Sequence, residues 1–268
     1  MRLMPLIAAA AVLTAPFHLA SAKDAALAEA IAAPHRTPSM VERDKYRKPQ
    51  AELEFFGIKP TMTVVEIYPG GGYWTEILAP YLHDKGTYYI AIAPRSAGEG
   101  AARSQDNWRK RLDANQAVYG NVKIGDFGGG VFKPAPDGSA DLVLTFRNVH
   151  NWMEDGTADQ AFASFFKALK PGGVLGVEEH RANTDKPQDP KAENGYVRED
   201  YTIALAKKAG FNYLGKSEIL ANPKDTKDYP KGVWTLPPTL ALGDKDRAKY
   251  LAIGESDNFV LKFQKPIR

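Results

Sequence analysis

Val64-Val65-Glu66-Ile67-Tyr68-Pro69-Gly70-Gly71-Gly72-Tyr73-Trp74-Thr75 decides how this chain folds. The apolar run through Ile67 reads as a strand buried on both faces, carrying an acid near its end. Pro69 and the three glycines break it, and helical spacing resumes at Tyr73. A strand, a glycine turn and a helix, in that order, are how a parallel α/β sheet opens a ligand pocket. The turn presents backbone N–H groups and the positive end of the helix to whatever binds.

Strand and helix alternate outward from that turn. Strands are predicted at 63–68, 87–93, 122–124, 141–146, 174–179, 211–219 and 258–264. Helices are predicted at 73–82, 101–112, 158–169 and 198–209. Pro136-Asp137-Gly138 and Lys170-Pro171-Gly172-Gly173 punctuate the pattern as turns. Such alternation predicts a doubly wound, mostly parallel sheet covered on both faces. Upstream, 23–33 reads as a helix closed by Pro34. Ser39 and Glu42 have capping-box spacing for a helix over 41–47, and 50–56 continues as a helix that Gly57 caps. Segment 23–58 is therefore a helical lid ahead of the α/β domain, 59–268, in which 220–256 is a long polar insertion. Arg43, Asp44 and Arg47 crowd one turn of that lid. They read either as a solvated helical face or as arginines that reach a carboxylate or phosphate on a ligand.

Composition narrows the class. With 268 residues, 44% of them hydrophobic, the chain can bury one large core or at most two. Its 35 basic and 32 acidic residues are interspersed and leave a net charge of +3, so nucleic acid is not a favoured partner. The absence of cysteine removes disulfides, thiolate metal sites and cysteine nucleophiles. Arg2, the apolar run 3–19 and Ala20-Ser21-Ala22 have the three-part pattern of a signal peptide cut after Ala22. An uncleaved membrane anchor is the weaker reading, because Pro5, Pro16 and His18 interrupt a run already short for a bilayer. The expectation is a periplasmic or secreted protein with no membrane contact after cleavage.

The glycine turn does not read as a nicotinamide site. That fingerprint wants glycine at 75, where Thr75 stands, and an acid after the second strand, which ends Ile92-Ala93-Pro94. Glu66, Tyr68, Gly70 and Gly72 instead resemble the acid-x-Gly-x-Gly-x-Gly motif of class I S-adenosylmethionine-dependent methyltransferases. Gly125-Asp126-Phe127 resembles that family's adenine-contacting motif. Asp141-Leu142-Val143-Leu144 with Asn148 is similar to its fourth-strand motif, Leu169 to Val174 to the start of its fifth strand, and Ala209-Gly210-Phe211 to the start of its sixth. The resemblance implies a Rossmann-like, seven-stranded sheet with an antiparallel last strand. It also implies S-adenosylmethionine as cofactor, bound by Glu66, Tyr68, Gly70, Gly71, Gly72, Asp126, Phe127 and Asn148, and methyl transfer to a small molecule. Tyr68 stands where the family has glycine, and Ala93-Pro94 stands where it has an acid that holds the ribose; Glu99 is the nearest substitute. These departures keep a second reading open, a binding or sensing module on the same fold.

Chemistry is expected at the carboxyl ends of the strands. His150 and His180 are the candidate general bases there, each set against the plainer role of a hydrogen-bonded structural histidine. Glu178 and Glu179 point to opposite faces of a strand, so at most one is expected to face the pocket; Glu179 joins the catalytic candidates. The spacing of these residues matches no compact ligand motif, so no metal is expected. Trp74, Trp152, Tyr68 and Tyr73 read as core aromatics or, more sharply, as a cation–π surface for a sulfonium. A hydrolase lacks a Gly-x-Ser-x-Gly nucleophile motif.

Overall fold

The structure is a computed structural model that describes residues 24–267. The expected signal peptide and its cleavage site lie outside the described residues. Four short helices come first: α1 (Ala25–Ile31), α2 (Pro38–Val41), α3 (Asp44–Arg47) and α4 (Pro49–Phe56). β1 (Thr63–Ile67), α5 (Thr75–Leu82), β2 (Thr87–Ile92), α6 (Glu99–Asp113), α7 (Gln116–Tyr119), β3 (Val122–Gly128) and β4 (Val131–Lys133) follow. Then come β5 (Ala140–Phe146), α8 (Val149–Glu154), α9 (Ala158–Ala168), β6 (Leu169–His180), α10 (Glu199–Lys208), β7 (Asn212–Ser217), α11 (Arg247–Ile253) and β8 (Asn258–Gln264).

The strands form one sheet in the order β4-β3-β2-β1-β5-β6-β8-β7. Neighbours from β3 through β6 are parallel, and β8 runs antiparallel between β6 and β7. This is the expected doubly wound architecture with eight strands rather than seven. The additional strand, β4, is folded back on β3 through Gly128, Gly129 and Gly130, whose φ of 107°, 59° and 83° suits residues without a Cβ. A run as short as 131–133 carries no alternation from which to read a strand. The sheet winds one way from β1 through β2 to β3 and the other way from β5 to β6. The crevice for a ligand therefore opens at the carboxyl ends of β1 and β5.

One apolar core lies on each face. Ile67, Phe127, Trp152, Phe162 and Phe165 anchor one, and Leu53, Phe56, Trp74, Ile77 and Leu142 the other. The N-terminal helices belong to the second core and are fastened by polar ties. Pro80 within α5 has no N–H to donate to Glu76 O, and His35 Nε2 donates to that carbonyl instead, at 2.8 Å. The Glu76 carboxylate accepts from the Thr37 N–H and hydroxyl and from Arg111. These ties also explain why the expected helix over 41–47 is split. Thr37, not Ser39, sits at the N-cap position of a single turn with Pro38 at N1, and a second turn begins at Asp44, which Arg36 holds in a fork. Lys170 to Gly173 likewise do not delay the strand: β6 already pairs with β5 at Leu169, and an irregularity in register absorbs the glycines.

Candidate active site

The residue after β1 and the residue after β5 share an unusual conformation. Tyr68 has φ 50° and Arg147 φ 61°, a left-handed geometry that costs a non-glycine residue about 1–2 kcal/mol. Both strands thus turn sharply at the crevice, and both side chains line a cleft of about 300 Å³. Glu66, Gly70, Gly71, Asn148, His150 and His180 line it as well. Gly70 has φ 55°, and a Cβ there would meet nothing within 4 Å, so the turn presents open backbone to the cleft. Asn148 donates through Nδ2 to Ile67 O (3.0 Å) and Thr145 Oγ1 (3.3 Å), bridging β1 and β5 and leaving Oδ1 for a ligand.

Among the expected site residues, Gly72, Asp126, Phe127 and Glu179 are not part of the lining. Gly72 packs under the Arg111 guanidinium. Asp126 is exposed at the end of β3, whereas the Phe127 ring is fully enclosed among Tyr68, Phe132, Trp152 and Phe165. The Phe127 side chain is a core group. Glu99 is exposed and pairs with Arg103 within α6. The Tyr68 ring lies edge-on to Phe127, 5.1 Å between centroids, and its hydroxyl leaves no room for a Cβ at Gly128.

Glu66 is 1% exposed, and its Oε2 accepts from Thr75 Oγ1 (2.9 Å) and from the Tyr88 hydroxyl. Burial pushes its pKa up to about 7, against the pull of those two donors.

Alternation along β6 sends Glu178 and Glu179 to opposite faces, and each stands behind a side chain that lines the cleft. Glu179 accepts from His150 Nδ1 (3.0 Å), from the His150 N–H at the start of α8 (3.1 Å) and from the His180 N–H (2.8 Å). Burial lowers the His150 pKa, but the Glu179 carboxylate outweighs it and the net shift is upward. His150 Nδ1 therefore carries a proton and Nε2 is left as the acceptor. His180 Nδ1 meets Ser256 Oγ (2.7 Å) and Asn258 Oδ1 (2.9 Å). Asn258 gives its Nδ2 to Glu178 (3.0 Å), which fixes Oδ1 as an acceptor and His180 Nδ1 as a donor. Burial, then Arg147 and His150, hold the His180 pKa well below the ordinary value, so His180 is neutral. The two imidazoles lie 5.5 Å apart.

An ion network, of which the sequence signals only Arg43 and Arg47, closes the far side. Arg43 forks onto Glu255 (2.6 and 2.9 Å), and Arg147 reaches the same carboxylate at 2.8 Å. Burial raises the Glu255 pKa, but the two arginines outweigh it and bring it down to about 2. Arg47 and Arg147 stand 3.5 and 3.6 Å from Glu178. The insertion 220–256 supplies Trp234, Pro237, Pro238, Thr239 and Ser256 to the cleft wall, with Pro237-Pro238 a cis peptide. Of the aromatics singled out in the sequence, Tyr68, Tyr73 and Trp74 reach the cleft and Trp152 is core.

No family model matches the chain, and no curated protein matches it. Solved structures do. A SAM-dependent methyltransferase from Aquifex aeolicus is 18% identical, with TM-score 0.54 over 85% of this chain and 93% of that one. The [4+2]-cyclase SpnF is 17% identical, with TM-score 0.56 over 90% and 92%. Phosphoethanolamine N-methyltransferase 2 of Haemonchus contortus, in complex with S-adenosyl-L-methionine, is 16% identical, with TM-score 0.54 over 82% of this chain and 53% of its own. At these identities the likeness is one of fold: the chain has the Rossmann-like methyltransferase fold. No described helix is long and apolar enough to cross a membrane.

Proposed function

We propose that this protein is an exported S-adenosylmethionine-dependent methyltransferase that acts on a small molecule, with His150 as general base. The observation that carries the reading is one cleft, at the β1–β5 switch point, holding both an open glycine turn and a histidine oriented by a buried carboxylate. The residues fit the cofactor: Gly70 and Gly71 would hold it through the main chain and Asn148 through Oδ1. When bound, the cofactor supplies an electrophilic methyl group on a sulfonium.

His150 Nε2 takes the proton from the acceptor, and Glu179 stabilises the imidazolium that results. The raised His150 pKa means that activity climbs with pH until the ring is neutral. Trp234, Pro237 and Pro238 form one wall of the cleft. His150, Glu179 and His180 offer ligand-type atoms within 4.8 Å of one another, yet we read them as a proton-transfer set and not a metal centre. Both Glu179 oxygens are already engaged by N–H groups, and Arg147 is close enough to depress His180 and to oppose a cation.

Tyr68 favours a second reading, a ligand-binding module without turnover, because its ring and hydroxyl fill the space between the ends of β1 and β3. Calorimetry with S-adenosylmethionine and S-adenosylhomocysteine separates the two, alongside native mass spectrometry of protein recovered from the exported fraction. Binding of either ligand, turnover that EDTA leaves unchanged, and a chain that begins at Lys23 are expected. No heat with either ligand at about millimolar concentration rejects methyl transfer.

A further inference from the structure

Three guanidiniums meet at one end of the cleft. Arg43 lies between α2 and α3, Arg47 ends α3, and Arg147 is aimed by its left-handed backbone after β5. Two carboxylates answer them. Glu255 is shared between Arg43 and Arg147, both at hydrogen-bond distance. Glu178 gives one oxygen to Asn258, and its nearest approach to Arg47 is 3.5 Å, well outside the 2.7–2.9 Å of a charge-assisted bond.

Arg47 is thus underserved. It is 5% exposed, its Nε has no partner, and its guanidinium lies over Tyr73 (4.5 Å) and Trp74 (5.4 Å). A third carboxyl, Glu52, is fully buried nearby with both oxygens unpartnered. Burial and Glu178 push its pKa well up. Burial and the neighbouring Arg147 bring the Arg47 pKa down to about 10. Arg47 is left without a closely matched partner in a place where an unmatched charge is expensive.

We propose that Arg43, Arg47 and Arg147 form an oxyanion subsite that seats a carboxylate or phosphate group of the cleft's small-molecule ligand, with Tyr73 and Trp74 flanking it. On the reading above, on which that identification rests, the ligand is the methyl acceptor. The carboxylates that hold the arginines stand near the end of β6 and ahead of β8, while Tyr73 and Trp74, which flank Arg47, follow directly on the glycine turn after β1. The body of the ligand then extends toward His150, His180 and the hydroxyl of Ser256.

The test is calorimetry on the whole mature protein at constant ionic strength, using benzoate and phenyl phosphate against their neutral analogues benzamide and phenol. At least one anion is expected to bind about tenfold or more tightly than its neutral analogue. Arg47→Gln is expected to lose about tenfold or more of that affinity with an unchanged far-UV spectrum. If Arg47→Gln fails to fold, Arg43→Gln serves, since Arg43 is partly exposed and Glu255 keeps Arg147. Equal binding of anion and neutral analogue, no binding of either anion at about 10 mM, or unchanged affinity in the folded variants overturns the proposal. Benzoate displaced by S-adenosylhomocysteine overturns it too, because the oxyanion would then be the cofactor's own carboxylate. Anion binding without any response to S-adenosylhomocysteine leaves the subsite standing and rejects methyl transfer alone.

Discussion

Glu66→Gln is the sharpest test of the turn from which the fold was read. The carboxyl is almost completely enclosed, and both of its donors, Thr75 and Tyr88, converge on the single oxygen Oε2. An amide keeps both bonds by placing its carbonyl oxygen there, so the substitution removes the ionisation and little else. Burial raises the folded-state pKa from 4.5 to about 7. A raised carboxyl makes the folded chain hold a proton that the unfolded chain has released. Stability is therefore full below the unfolded pKa and falls as pH rises from about 4.5 through about 7. The shift, 7 minus 4.5, is worth about 3 kcal/mol at 1.36 kcal/mol per unit. Glutamine has no such dependence. The variant is expected to match the wild type to within about 1 kcal/mol at pH 5 and to exceed it by up to about 3 kcal/mol at pH 9. Urea denaturation at pH 5, 7 and 9, followed by tryptophan fluorescence, measures the difference. A wild-type minus variant difference that stays flat across that range refutes the reasoning. A variant weaker at every pH refutes it as well, because it would mean that the ionised carboxylate is the form that holds Thr75 and Tyr88.

Glu179→Gln removes the anion that sets the His150 tautomer and raises its pKa. Turnover is expected to fall about 10²–10⁴-fold, and the alkaline-rising limb of the pH–rate profile to move toward acid; a slower enzyme with an unmoved limb would make Glu179 a scaffold only. Phe127→Ala, read as a core deletion between Trp152 and Phe165, is expected to cost about 3–5 kcal/mol in denaturant unfolding. A loss below about 1 kcal/mol would take the ring out of the core.

What was legible in the sequence is what local periodicity encodes. The strand–turn–helix at 63–82, the strand at 258–264 and the opposite facing of Glu178 and Glu179 all follow from spacing alone, and the structure has them. His150, His180, Gly70, Gly71 and Asn148 end or follow strands whose carboxyl ends share one edge of the sheet, so their gathering was legible too. The arginine network was legible only in part. Arg43 and Arg47 stood out as a charged turn, but Glu255 is 212 residues from Arg43, and only sheet order brings the two together. Ser256 and Asn258 meet His180 for the same reason. The capping-box signal at Ser39 was overridden because Glu76, far along the chain, takes the Thr37 hydroxyl and N–H. Gly125-Asp126-Phe127 has no feature that says which of its side chains turns inward. Residues flanking Phe127 on other elements decide that.

The placement of the charges says why the turn identifies the fold more readily than the chemistry. The glycine turn, Asn148 and His150 come from the doubly wound sheet and its first loops. Arg43 and Arg47 come from the helical segment that precedes the sheet, and Glu255 and Ser256 from the segment between β7 and β8. The polar end of the cleft therefore joins Arg147, which follows β5, and Glu178 of β6 to residues contributed from before β1 and after β7. Buried ion pairs seldom contribute net stability, and an apolar filling of the same volume is often as stable or more so. A chain that keeps Arg47, Glu178 and Glu52 nearly or fully buried, with Arg47 poorly matched and Glu52 without a partner, is less stable there than it need be. Two strained residues, Tyr68 and Arg147, stand at the same place. Imperfect pairing and strain concentrated at the mouth of a cleft are accounted for by a ligand whose own charge completes the network.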